Sequence, residues 1–111
     1  MNKETEHKIQ QLSLLEQNMQ ATSVQKQNFQ LQLLEIESAL KELGQTEVAY
    51  KIVANIMIKA SKQDLSNELQ EKKEIIELRI SSLEKQEKQL RDKATALQKE
   101  VLGDMKQDET S

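Results

Sequence analysis

The sequence predicts a mainly α-helical fold, a long antiparallel two-helix coiled coil joined by one β-hairpin. Three observations lead there. Two stretches carry sustained heptad periodicity, a central stretch switches to period-two alternation, and the 111 residues contain no proline to break a long helix. Only 36% of the residues are apolar and two, Phe29 and Tyr50, are aromatic, too few for one compact core. Charged residues reach 32% yet the net charge is only −3, so acids and bases are interspersed and no basic nucleic-acid footprint exists.

The first helix is expected over about residues 5–43. With Leu12 opening the seam, the heptad positions are Leu12, Leu15, Met19, Thr22, Lys26, Phe29, Leu33, Ile36, Leu40 and Leu43, and eight of these ten are apolar. Gly44 follows where a helix C-cap favours glycine.

A hairpin is expected over about 47–60. Val48, Tyr50 and Ile52 alternate with Ala49, Lys51 and Val53, and Ile56, Ile58 and Ala60 alternate with Met57 and Lys59. Ala54-Asn55 lies between them, a poorer turn than Asn-Gly although Asn tolerates positive φ. Burying Val48, Tyr50, Ile52, Ile56 and Ile58 returns about 1.5–3 kcal/mol each. Fixing the backbone costs about 1–2 kcal/mol for every residue ordered, so the ribbon does not stand alone. Its unpaired edges invite strands from other chains. The hairpin is therefore read as an oligomerisation element.

The second helix is expected over about 62–102. Ser61 with Asp64 makes a capping box, with Asp in the usual Glu position. One seam row is Leu69, Ile76, Leu83, Leu90 and Leu97; its companion is Lys73, Ile80, Glu87, Ala94 and Val101. Gly103 marks the expected stop, with 103–111 as a frayed tail. The whole chain, 1–111, is read as one domain.

If Leu43 and Lys62 are level, Lys26 meets Ile80, Thr22 meets Leu83, Met19 meets Glu87 and Leu15 meets Leu90. Leu97 then faces Lys8 and Val101 faces Thr5, a mismatched tip. A slip by one whole heptad keeps the same phase and stays open. The polar seam residues Thr22, Lys26, Lys73 and Glu87 are read as register devices, the competing reading being a locally loosened coil.

At VAYKIVANIMIKAS and the following NELQEKKEIIELRISSLEKQEKQLRDK the chain resembles the prefoldin family, its archaeal-type β subunits. The order helix, hairpin, helix covers nearly the whole chain, and the hairpin is the specific part. Ala54 departs from the glycine common in such sequences. The resemblance implies a hexamer of two α-type and four β-type subunits whose hairpins assemble into an intersubunit β-barrel. It implies an ATP-independent chaperone, a holdase that captures unfolded proteins at its coil tips and delivers them to a group II chaperonin.

The client-binding candidates at the tip are Ile9, Leu12, Leu97, Val101, Leu102 and Met105. The chaperonin-contact candidates are Lys99, Glu100, Asp104 and Lys106. The bland readings are side chains packed on one another or singly exposed, and a solvated charged face. Phe29 and Tyr50 are read as core. Glu68, Glu71 and Glu74 are surface charges at helical spacing from lysines.

No catalytic, cofactor or metal site is expected. His7 is the one histidine, cysteine is absent, and two glycines do not make a phosphate loop. The expected partners are an α-type subunit and further copies of this chain, unfolded clients and the chaperonin, with no nucleic acid and no membrane. The polar stretch 1–11 lacks a signal-peptide core, no run is long enough to span a bilayer, and a cytoplasmic location is expected. The alternative is a structural or tethering coiled coil that binds no client. A membrane-surface helix fits less well, because the apolar stripes are narrow and the charge is mixed.

Overall fold

A computed structural model describes residues 2–110, with side chains described through residue 107. The elements run α1 (Lys3–Gln45), β1 (Ala49–Val53), β2 (Ile56–Ala60) and α2 (Lys62–Thr110).

Both helices start on side-chain caps. The Thr5 amide donates to Asn2 Oδ1 at 2.8 Å, and the Asp64 amide donates to Ser61 Oγ at 3.3 Å, the Ser61 half of the expected box. Glu4 and Glu6 in the first turn of α1 and Asp64 in that of α2 lie where the helix dipole favours acids.

The glycines do not stop the helices as expected. α1 continues through Gly44 to Gln45, and α2 runs through Gly103 to Thr110. Neither glycine adopts positive φ. The segment expected to fray from 103 is helical to Thr110, and Ser111 lies outside the described residues.

Two compact units divide the chain. One joins the part of α1 up to Lys26 to the part of α2 from Ser82 onward; the other holds residues Gln27–Ser81, with the hairpin. In the first, Lys8 pairs with Asp104 and Lys26 with Glu87, so the two helix segments run antiparallel. In the second, Glu37 approaches Lys73 and Phe29 lies under Arg79, again antiparallel.

Outside the ribbon, the buried residues among those described all lie on the two seams. They are Thr5, Thr22, Leu83, Ala94 and Val101 in the first unit, and Leu43, Ile76 and Ile80 in the second. Thr22 is accommodated because its hydroxyl donates to the Asn18 carbonyl at 2.8 Å.

The pairing differs from the level-ended alignment. Lys26 meets Glu87, not Ile80, and Lys8 meets Asp104, not Leu97. Leu15 lines one groove with Leu97, and Thr22 lines another with Leu90. All four relations are displaced by one heptad. The displacement relieves the mismatch expected for Leu97, which lies beside Leu15 while Lys8 is bonded to Asp104. Heptad phase is blind to such a shift; the ion pairs are not.

Candidate functional site

The ribbon is built from five antiparallel pairs: Ala49 with Ala60, Tyr50 with Lys59, Lys51 with Ile58, Ile52 with Met57, and Val53 with Ile56. Ala54 and Asn55 form the two-residue turn with φ of 49° and 66°. Two successive positive φ values give the twist a tight hairpin requires, so alanine occupies a conformation that normally favours glycine.

Directly paired residues share a face of the ribbon. Tyr50, Ile52, Met57 and Lys59 form one face, and Ala49, Lys51, Val53, Ile56, Ile58 and Ala60 form the other. The expected set of Val48, Tyr50, Ile52, Ile56 and Ile58 is therefore split between two faces. Val53 and Met57, which that set omitted, complete them. Ile52, Ile56 and Met57 are 69%, 63% and 65% exposed, and Val48, Tyr50, Val53 and Ile58 are exposed as well. Tyr50, expected as core, is uncovered in the lone chain; Phe29 is half-buried.

Polar bonds fix the ribbon to α2. Lys51 Nζ donates to both Glu68 carboxylate oxygens at 3.2 and 3.0 Å, with Lys72 at 3.8 Å. The hydrogen bond from Lys51, and then its positive charge, hold the Glu68 carboxyl below its ordinary value. Beside this pair, Leu43, Tyr50, Ile52, Leu65 and Leu69 line a groove of about 590 Å³.

The other candidate residues lie in the first unit. Ile9, Leu102 and Met105 are exposed, Leu12 and Leu97 are half-buried, and Val101 is buried. Lys99, Glu100 and Lys106 are exposed. Asp104 is engaged within the chain. Its Oδ2 accepts Lys8 Nζ at 2.9 Å and the Thr5 hydroxyl at 3.3 Å, and Glu100 lies 3.8 Å from the same amine. The hydrogen bond from Lys8 leads the causes that lower the Asp104 pKa, and its counterpart leads those that raise that of Lys8. Thr5 and Lys8 were not singled out from sequence; their seam positions were the available signal. Leu14, 60% exposed, borders the groove that Leu15 and Leu97 share.

His7 lies 3.3 Å from the Gln11 side chain, and among the described residues no cluster is arranged to hold a metal ion. No helix among them is long and apolar enough to cross a membrane.

Comparison with known proteins places these features in a family. The family described as "Prefoldin subunit" matches residues 6–108. Prefoldin subunit beta of Archaeoglobus fulgidus is 38% identical over 96 residues, covering 84% of this chain and 83% of its own. That of Thermococcus onnurineus is 38% identical over 94 residues, covering 82% and 81%. The crystal structure of the prefoldin beta subunit from Thermococcus strain KS-1 superposes with a TM-score of 0.87 at 33% identity, covering 92% of each chain.

Proposed function

The chain belongs to the prefoldin family, and from that premise we propose that it is a β-type subunit of an ATP-independent holdase. Its ribbon joins those of an α-type subunit and of further copies of itself in an intersubunit β-barrel, within a hexamer of two α and four β subunits. The assembly holds unfolded proteins and passes them to a group II chaperonin in the cytoplasm. No catalytic step enters this reading.

The observation that carries it is the ribbon, whose large apolar side chains are exposed on both faces. A hairpin that orders this many apolar side chains without covering them is completed by other strands. A tethering coil has no use for such an element.

Client capture falls to the exposed apolar residues Ile9, Leu102 and Met105, with Leu12, Leu97 and Val101 in the seam behind them. Met105 is flexible enough to suit varied partners. Several such ends on one platform bind together, so avidity exceeds any single weak contact. Lys99, Glu100 and Lys106 are the charged groups available to a chaperonin, by contacts that weaken with salt.

The test is intact mass with and without an α-type subunit, followed by suppression of client aggregation. The hexamer mass is expected with the partner present. Ile52→Lys and Ile58→Lys, one on each ribbon face, should each abolish assembly while helicity stays intact. Replacing Ile9, Leu102 and Met105 together with Ser should leave the mass unchanged and weaken suppression. A chain that ignores the α-type subunit and suppresses no aggregation is a tether.

A further inference from the structure

Gly103 has no conformational reason to be glycine. It lies inside α2 without positive φ, and a Cβ built there meets nothing within 4 Å. Glycine in a helix interior leaves the helical state about fivefold less favoured than alanine does. The weak point lies between a buried seam residue and a polar anchor. Val101, two residues before it, is 7% exposed. Asp104, directly after it, is bound to α1 through Lys8 at 2.9 Å and through Thr5, whose exposure is 0%.

The anchoring is polar. Leu102 and Met105, on either side, are 60% and 41% exposed, so among the described residues the apolar burial that holds the segment down is only partial. A segment held by few apolar contacts opens at low cost.

We infer that the part of α2 after Gly103 is a releasable strap, which Asp104 ties to Thr5 and Lys8 of α1 and which keeps the seam at Val101 closed until it melts at Gly103. Release uncovers the seam to an exposed apolar segment of a non-native chain. This inference rests on the client-capture reading above. Asp104 thereby acts as a positioning residue for capture, set apart from a chaperonin contact.

The experiment compares Gly103→Ala, Asp104→Ala and Lys8→Met in the assembled complex, by amide hydrogen exchange over residues 101–106 and by suppression of client aggregation. Gly103→Ala should slow exchange about fivefold and weaken capture, since it favours helix without adding a contact. Asp104→Ala and Lys8→Met should each speed exchange several-fold and strengthen capture. Unchanged exchange in Asp104→Ala overturns the strap. Slower exchange with unchanged capture in Gly103→Ala overturns its link to clients. If the unaltered complex suppresses no aggregation, the capture reading fails by itself, while the exchange measurements still decide whether the strap exists.

Discussion

Lys26 and Glu87 meet at 2.7 Å from seam positions on facing helices, each side chain only about a quarter exposed. Residues at such positions are ordinarily apolar. A charged pair there works by discrimination: in the slipped register Lys26 would lie on Ile80 and Glu87 on Met19, and each charge would lose its partner.

Glu87→Ala should destabilise the first unit by about 1–2 kcal/mol, between the values for exposed and buried ion pairs. Lys26→Leu combined with Glu87→Leu should recover that stability and lose register. The chain has no cysteine, so introduced pairs report register cleanly. Thr22→Cys with Leu90→Cys should cross-link in the native background, and Leu15→Cys with Leu90→Cys only once both charges are gone. Cross-linking confined to the first pair in the leucine background would show that the register does not depend on Lys26 and Glu87.

The turn yields a gain of stability. Ala54 holds φ at 49°, where a side chain costs about 1–2 kcal/mol. Ala54→Gly removes that cost and adds back some unfolded-state entropy, for a net gain of about 0.5–1 kcal/mol. Slower amide exchange across β1 and β2 is the expected readout. Ala54→Val should move it the other way.

Glu68 gives a prediction in pH. Its carboxyl titrates below its ordinary 4.5 because Lys51 donates to it. A depressed folded-state value contributes stability that is present above the unfolded value and lost as pH falls through the folded one. Acid should therefore loosen the tie between ribbon and α2 only below the ordinary carboxylate range. In Lys51→Met the Glu68 titration followed by NMR should move up toward 4.5, and the acid-dependent loosening should disappear, because the bond it reports is already gone at every pH.

Heptads, hairpin and Ser61 cap were legible because each depends on local spacing. The heptad register was not, since a shift by seven places the same residue classes opposite each other. Lys26 with Glu87 and Lys8 with Asp104 were the missing signal: two acid–base pairs that align only in the observed register. The ribbon faces failed on parity. Val53 pairs with Ile56, so even-numbered residues of β1 sit opposite odd-numbered residues of β2, and Tyr50 and Ile52 share their face with Met57 instead of Ile58. Gly103 misled because a helix can continue through a glycine that it merely tolerates.

The bare ribbon makes the persistence of this subunit a question of supply. In the proposed assembly, covering it takes an encounter between chains, so its protection rises with the concentration of partners and falls on dilution. A cell producing this subunit in excess would accumulate orphans with a sticky edge, open to aggregation or to proteases. In the proposed assembly, matched synthesis of the partner polypeptides is then part of what protects the ribbon.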